Sequence, residues 1–194
     1  MKSSAQALPP KSPRKPIAKP STPKSSKEPP KPAPRNVGKR SAKSLRTPQT
    51  RLLTIGFTNK PAERFFAALR AAGVRRVVDV RLNNTSQLAG FSKRDDLIYF
   101  LREICDIGYV HLPELAPTAD VFDAYKKHGG SWEVFEHEFL SLMEKRRIDQ
   151  SIARDVIDQG CLLCSEDKPH NCHRRIVAEY LTKKWGNVAT EHLA

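Results

Sequence analysis

The chain has 194 residues, with 34 Lys and Arg against 21 Asp and Glu, and a formal net charge of +13. No apolar run approaches the length of a membrane span, and the charged, proline-rich N-terminus lacks the apolar segment of a secretory signal peptide. Three of the four cysteines lie between residues 161 and 172, which is not the spread of a disulfide framework. We therefore expect a cytoplasmic protein with reduced thiols.

The first 50 residues differ from the rest of the chain in charge and in composition. They hold 13 of the 34 Lys and Arg, one acidic residue (Glu28), 11 of the 15 prolines and no aromatic residue. Such a segment cannot bury enough apolar surface to offset the entropy lost on ordering. We predict a disordered basic tail over residues 1–50, with a net charge of +12, ahead of a nearly neutral domain over residues 51–194. The tail is expected to bind nucleic acid through phosphates; a solubilising extension is the alternative.

The first half of the domain alternates short apolar runs with stretches of helical periodicity. Residues 52–56 and 77–81 are predicted to be strands, because both are short and rich in strand-forming side chains. Between them a helix is predicted to begin at Pro61 and to end before Gly73.

The next helix is predicted to begin at Ser92 as N-cap, with Asp95 as the acid of a capping box, and to end at Gly108. Residues 109–112 then form a predicted third strand. Two helices follow, over residues 119–127 and 132–147, with Ser131 as the N-cap of the second. This pair of helices is predicted to cover one end of the sheet.

The remaining predicted elements are a helix beginning near Ser151, a strand over 161–164, a helix over 172–185 and a strand over 188–193. Strands that alternate with helices indicate a largely parallel sheet of about five strands, with helices on both faces.

Polar side chains follow the predicted strands at their C-terminal ends. These ends share one edge of a parallel sheet, and ligands bind in the crevice outside that edge. The candidate residues there are Thr58, Asn59, Asp79, Arg81, Asn83, His111, Glu114 and Cys164.

The segment from 163 to 175 is the densest in reactive side chains. Cys172, His173 and Arg174 are predicted to lie in a first helical turn, where free backbone N–H groups favour an anion. The same field and a neighbouring cation lower the pKa of a thiol, which makes Cys172 or Cys164 a candidate nucleophile. Two structural alternatives remain open, an ion pair between Asp79 and Arg81 and a hydrogen-bonded core role for His111.

The cysteine spacing also suggests a metal site, Cys-x2-Cys-x7-Cys-His, but residues 161 and 164 of a strand point to opposite faces. We therefore predict neither a structural zinc site nor a cofactor. The segment has no glycine between Cys164 and Arg175, unlike a phosphate-binding Gly-rich loop.

With these residues in view, the domain resembles the family called domain of unknown function 488. The matching segments are Thr54-Ile-Gly56, Val78-Asp-Val-Arg81, Tyr109-Val-His-Leu-Pro-Glu-Leu115 and Leu163-Cys164-Ser-Glu followed by Cys172-His-Arg174. The resemblance covers about residues 51–194 and implies a Rossmann-like three-layer α/β fold, but no particular reaction. The signature residues that it implies are Asp79, Arg81, His111, Glu114, Cys164, Cys172, His173 and Arg174.

Three functions are compatible with these residues. The first is an enzyme acting on a nucleotide or nucleic acid. In it a thiolate of Cys172 or Cys164 attacks, Arg81 and Arg174 hold a phosphate with help from Thr58, Asn59 and Asn83, His111 or His173 moves protons, and Asp79 or Glu114 orients them. The second is a binding module for a phosphate-bearing ligand or nucleic acid, and the third is a thiol redox or metal sensor using Cys164 and Cys172. The oligomeric state stays open.

Overall fold

Five parallel strands form the centre of the part of the chain that the structure, a computed structural model, describes: residues 49–194 without the side chains of residues 87–89. The strands are β1 (Thr50–Gly56), β2 (Arg76–Asp79), β3 (Gly108–His111), β4 (Gly160–Cys164) and β5 (Val188–His192). They lie in the order β3-β2-β4-β1-β5. The predicted tail lies outside the described residues except for its last two, and Thr50 already belongs to β1.

Helices connect the strands, as parallel pairing requires. They are α1 (Ala62–Ala71), α2 (Arg94–Phe100), α3 (Ala119–Lys126), α4 (Trp132–Lys145), α5 (Ile148–Ser151), α6 (Arg154–Ile157) and α7 (His173–Trp185). Helix α2 continues through a π-helical turn, Leu101–Cys105, and short 3₁₀ helices lie at Gln87–Ser92 and Pro113–Leu115.

Alternating side chains of the sheet divide the core into two layers. Leu53 and Ile55 of β1 pack with apolar residues of α1 and α2 on one face. Leu52 and, in β4, Leu162 pack with residues of α4, α5, α6 and α7 on the other face. Both faces of the strands are therefore apolar, which suits a parallel sheet covered by helices on both sides. The predicted three-layer α/β fold is confirmed.

The two central strands of the sheet diverge in their connections. Strand β1 leads through α1 to β2, and its neighbour β4 leads through α7 across β1 to β5. Since α1 and α7 contribute to opposite core layers, the chain leaves these neighbouring strands in opposite directions. A crevice opens at such a switch point, outside the C-terminal ends of the strands. Gly56 and Cys164 are the paired last residues of β1 and β4 at this point.

Several predicted helix boundaries are wrong. Ser92 does not cap α2, because it ends the preceding 3₁₀ helix as a buried residue and Lys93 takes the N-cap position. The helical stretch ends at Cys105, where Asp106 adopts a left-handed conformation with φ 54°, and Gly108 begins β3 instead. The stretch predicted to begin near Ser151 is two short helices, α5 and α6.

Other boundaries are confirmed by capping contacts. Ser131 is the N-cap of α4, and its side-chain oxygen accepts a hydrogen bond from the Val134 backbone at 3.3 Å. Helix α7 ends before Gly186, whose positive φ of 60° suits glycine. None of the described helices is both long and apolar enough to cross a membrane.

Candidate active site

A cavity of about 420 Å³ lies at the switch point of the sheet. The ends of β2 and β4, the loop after β1, the first turn of α7 and the helices α3 and α4 all contribute side chains to it. Its aromatic lining is Phe57, Phe122, Tyr125, Trp132 and Phe135. Its reactive lining is Arg81, Cys164, Cys172 and His173. The predicted position of the α3–α4 pair over the end of the sheet is therefore confirmed.

A cysteine–histidine pair lies in the wall of this cavity. Cys164 ends β4, His173 begins α7, and their Sγ and Nδ1 atoms are 3.5 Å apart. The other ring nitrogen, Nε2, is 2.8 Å from the carbonyl oxygen of Val80. Because a carbonyl oxygen only accepts, Nε2 carries a proton, and Nδ1 is the nitrogen that exchanges a proton with the sulfur.

The surroundings of Cys164 favour its thiolate. A hydrogen bond from the Cys172 thiol and the positive charge of His173 hold the pKa of Cys164 well below its ordinary value, against the opposing effect of burial. Burial lowers the pKa of His173, but the negative charge of Cys164 together with the hydrogen bonds to Cys164 and to Val80 O outweighs it, and the net shift is upward. The hydrogen bond to Cys164, together with burial, raises the pKa of Cys172. These opposite shifts favour the thiolate form of Cys164 and the neutral thiol form of Cys172.

Arg174 holds the loop that follows β4. Its side chain is fully buried, and its guanidinium donates to the carbonyl oxygens of Glu166 and of Asp167, the latter at 2.9 Å. Nη1 also lies 3.3 Å from the Cys172 sulfur. The structure places Arg174, a predicted ligand for a substrate anion, among the loop carbonyls and beside the Cys172 sulfur, and its side chain does not line the cavity.

Gly56 allows this loop to approach the sheet. A Cβ atom at position 56 would come within 1.8 Å of the Glu166 carbonyl oxygen, so any other residue would displace the loop. Thr58 secures the loop a second time, because its backbone N–H donates to Ser165 O at 3.1 Å. The side chains of Thr58 and Asn59 are exposed and do not line the cavity, so the structure does not bring these two predicted substrate ligands to the site.

Arg81 presents a guanidinium to the cavity. Its Nε and Nη2 donate to the two oxygens of Asp79 at 2.8 and 2.7 Å, and its Cζ lies 5.3 Å from the ring centroid of Phe57. Among the described residues Nη1 has no hydrogen-bond partner, which leaves that end of the fork for a ligand. Asp79 is fully buried and also accepts from Tyr109 Oη at 2.7 Å and from Asn84.

These contacts change the expected role of Asp79. Among the described residues, every hydrogen-bond partner of the carboxylate is a donor inside the protein. Burial raises the pKa of Tyr109, which keeps the phenol a donor to the carboxylate. Asp79 therefore orients Arg81 and is not placed to exchange protons with a ligand. The alternative of an Asp79–Arg81 ion pair is confirmed.

The structure places the other predicted catalytic residues away from the thiols. His111 is half-buried, and its Nε2 donates to the Arg81 carbonyl oxygen at 2.8 Å, so it fixes the backbone that carries Arg81. Glu114 does not line the cavity, and its backbone carbonyl oxygen accepts a hydrogen bond from Arg146. The structure therefore does not bring these two predicted catalytic residues to the cavity, because β3 is an edge strand and β2 separates it from β4. Asn83 does line the cavity, as predicted.

Three potential metal ligands converge in the same place. The sulfur atoms of Cys164 and Cys172 and a ring nitrogen of His173 all lie within 4.8 Å of one another. The sequence argument against a metal holds for Cys161, which is buried in the core layer under α1. It does not extend to the other three residues, because the loop after β4 returns Cys172 and His173 to the end of the strand.

Sequence reasoning missed the aromatic wall of the cavity. Tyr125, Trp132 and Phe135 form a cluster with ring centroids 5.0 to 5.6 Å apart. On α3 and α4 these rings have the spacing of ordinary core residues, and no local signal separates cavity lining from core. Asn84 and Tyr109, which support Asp79, were overlooked for the same reason.

The model of the family described as domain of unknown function DUF488 matches residues 61–181 of this chain. The match covers more than half of the chain, from the start of α1 to the middle of α7, and it includes both strands that carry Asp79 and Cys164. The chain therefore belongs to this family, as the resemblance of its motifs indicated. No curated protein and no solved structure matched the chain.

Proposed function

We propose that this chain is a thiol-dependent enzyme in which Cys164 is the nucleophile and His173 the proton carrier. The observation that carries the proposal is the contact of 3.5 Å between Cys164 Sγ and His173 Nδ1 in a cavity wall, with the tautomer set by Val80 O. A nucleophile beside a base that a third group orients is the arrangement of covalent catalysis. Perturbed ionisable groups in a cavity add support to it.

The cavity suggests a substrate with an anionic group and a planar ring. Asp79 fixes the orientation of the Arg81 guanidinium through Nε and Nη2, and the remaining Nη1 end suits a phosphate oxygen. Rings of Tyr125 and Trp132 provide apolar surface for a flat group. A volume of about 420 Å³ is in the usual range of small-molecule sites. A nucleotide, or a nucleotide at the end of a nucleic acid, combines these properties.

The proposed reaction uses the Cys164 thiolate and the His173 imidazolium in two steps. The electron pair of the Cys164 thiolate forms a bond to an electrophilic atom of the substrate, and the bond to the leaving group breaks with its electrons on that group. His173 gives its Nδ1 proton to the leaving group. Water then loses a proton to Nδ1 and attacks the covalent intermediate, which releases the product and restores the Cys164 thiolate.

The test is the pH dependence of alkylation at each cysteine by a small reagent, resolved by peptide mass spectrometry on the folded protein. Because the pKa of Cys164 is lowered, its thiolate persists as the pH falls below about 8.5, the ordinary value of a thiol. Its alkylation rate should stay nearly constant there. Cys105 is the internal control: burial raises its pKa, so its rate should fall about tenfold per pH unit.

The variant His173→Gln sharpens this test. Loss of the imidazolium raises the pKa of Cys164, and alkylation of Cys164 at neutral pH should fall at least about tenfold. Cys105 should keep its wild-type rate in the same sample. A Cys164 that stays unreactive in the folded wild-type protein until denaturation would contradict the nucleophile and leave a binding module for the same ligand.

A thiol redox sensor is the second candidate, and the proximity of two sulfurs favours it. Cys164 and Cys172 hold their sulfur atoms within 4.8 Å. Mild oxidation should then give a Cys164–Cys172 disulfide that non-reducing mass spectrometry detects and that a reductant reverses. If Cys164 oxidises without linking to Cys172, the sensor hypothesis fails.

The basic tail supports a role in delivering or retaining a nucleic-acid substrate. Its 13 Lys and Arg with one acid give a charge density that phosphate backbones attract without sequence readout.

A further inference from the structure

We propose that Cys164, Cys172 and His173 form a three-ligand binding site for a thiophilic cation of the zinc class, with the fourth coordination position open to the cavity. All three side chains are buried, and all three line the cavity. Two thiolates and an imidazole are a donor set that selects zinc or cuprous ions over hard cations such as magnesium.

The spacing of the ligand atoms fits a tetrahedral ion. Zinc–sulfur and zinc–nitrogen bonds of about 2.3 and 2.0 Å place a sulfur and a nitrogen on one ion roughly 3.6 Å apart, and two sulfurs roughly 3.8 Å apart. Cys164 Sγ and His173 Nδ1 are 3.5 Å apart, and the complete set of three lies within 4.8 Å. An ion therefore requires only small side-chain rotations.

The groups behind the ligands also suit a metal. A histidine ligand usually donates its second ring N–H to a carbonyl or carboxylate, which fixes the ring, and His173 makes this contact with Val80 O at 2.8 Å. Arg174 Nη1 lies 3.3 Å from the Cys172 sulfur. Among the described residues this fully buried guanidinium has no carboxylate within ion-pair distance, so deprotonation of Cys172 on cation binding would give it an anionic neighbour.

The cavity distinguishes a closed structural metal site from one with an open coordination position. A structural zinc site closes with four protein ligands, whereas a site with three keeps one position for water or a ligand. Among the described residues the cluster has three members. The cavity lies on its open side, so a molecule held by Arg81 and the aromatic wall reaches the ion directly.

Cation binding and the proposed reaction compete for one sulfur. A bound ion takes Cys164 as a ligand, and the free thiolate nucleophile then exists only in the metal-free protein. The binding site itself does not depend on the reaction, so the two are tested separately.

The experiment titrates Co²⁺ into the reduced, metal-free full-length protein and follows absorption. Thiolate ligands give an intense sulfur-to-cobalt charge-transfer band, and tetrahedral geometry gives strong visible bands. All four cysteines and all six histidines lie between residues 105 and 192, so the tail adds neither type of ligand. We expect one Co²⁺ per chain with thiolate bands, and displacement of it by Zn²⁺.

The matched variants are Cys172→Ser and Cys105→Ser. Serine is a good N-cap, so the first keeps the start of α7, where residue 172 is the N-cap. Cys172→Ser should weaken Co²⁺ binding by at least about tenfold and reduce the charge-transfer band. Cys105→Ser should bind as the wild type does, and circular dichroism checks that both variants are folded.

Equal Co²⁺ binding by the two variants, or wild-type binding without a charge-transfer band, would overturn the inference. Alkylation of Cys164 in the presence of a chelator tests the enzyme proposal separately from the cation site. Thiolate bands together with an unreactive metal-free Cys164 keep the cation site and reject the nucleophile. A reactive Cys164 without thiolate bands rejects the cation site and keeps the nucleophile.

Discussion

Arg174 and Arg175 are neighbours on α7 but lie in opposite environments. Arg174 is fully buried and holds two loop carbonyls, while Arg175 makes ion pairs with Glu136 and Glu179 near the surface. The sequence shows two adjacent cations in a first helical turn and gives no indication of which one is buried. At the scale of single residues, burial therefore decides whether a cation binds a ligand or supports the fold.

The variants Arg174→Ala and Arg175→Ala test this difference. Loss of Arg174 leaves the carbonyls of Glu166 and Asp167 without donors and removes the counter-charge of the thiols. The free energy of unfolding should fall by more than about 3 kcal/mol. Arg175→Ala should cost less than about 1 kcal/mol, because its ion pairs are partly exposed. Chemical denaturation measures both, and a small effect of Arg174→Ala would return Arg174 to the candidate anion ligands.

Gly56→Ala is a second residue-scale prediction. A Cβ atom there would lie 1.8 Å from Glu166 O, and since this atom is backbone, the loop after β4 must move. We expect destabilisation of about 3 kcal/mol and a loss of the low alkylation pKa of Cys164. Gly108→Ala is the control, because its Cβ atom would make only ordinary contacts of 3.5 Å or more and should change stability little. Thermal and chemical unfolding give the comparison, and equal costs would refute the close approach.

At the scale of elements, α3 and α4 carry the aromatic wall of the cavity but differ in how they are held. Helix α4 buries Phe135, Phe139 and Met143, whereas α3 has no fully buried residue. Lys126 at the end of α3 reaches Glu166 in the loop after β4 at 3.0 Å. The outer helix of the cavity therefore depends on partly exposed contacts, and such elements open with the least free energy.

The start of α4 provides the element-scale prediction. Ser131→Ala removes the hydrogen bond to Val134 N and should lower the free energy of unfolding by about 1 kcal/mol. Amide exchange should rise in the first turn of α4, which carries Trp132 into the cavity. Ser141→Ala, within the same helix, should leave both quantities near their wild-type values. Hydrogen exchange by mass spectrometry makes the measurement, and the same exchange in both variants would argue against the cap.

For the whole molecule, charge and fold are carried by different parts of the sequence. Residues 1–50 account for +12 of the formal net charge of +13, while the described sheet and helices begin at Thr50. We therefore expect the tail to dominate any attraction to polyanions, and the domain to determine stability and the candidate chemistry.

Removal of residues 1–47 tests this division. The melting temperature should not change, because β1 begins at Thr50. The shortened chain should not bind labelled DNA or RNA even at low salt. The full chain should bind them at low salt and lose affinity steeply as the salt concentration rises. Fluorescence anisotropy at two salt concentrations measures both effects. If the shortened chain binds as tightly as the full chain, the nucleic-acid affinity belongs to the domain.

The strands and the reactive segment were predictable because their signals are local. Residues 161–164 are a short apolar run and form β4, and Cys172 directly precedes the helix that was predicted to begin there. The cap predicted at Ser92 is wrong for a reason that the local sequence does not show, because a 3₁₀ helix before α2 contains this residue and leaves it buried. Glu114 and His111 follow a strand like the other site residues, but their strand lies at the edge of the sheet.

The sequence by itself determined the α/β class, the order of the elements, the charged tail and the set of reactive residue types, since periodicity, composition and motif spacing are properties of neighbouring residues. Only the tertiary structure decided which of those residues meet. Strand order placed β1 beside β4, Gly56 admitted the returning loop, and that loop brought Cys172 and His173 back to Cys164. Contacts between residues far apart in sequence depend on strand order and on the path of a loop, and neither leaves a local pattern in the chain.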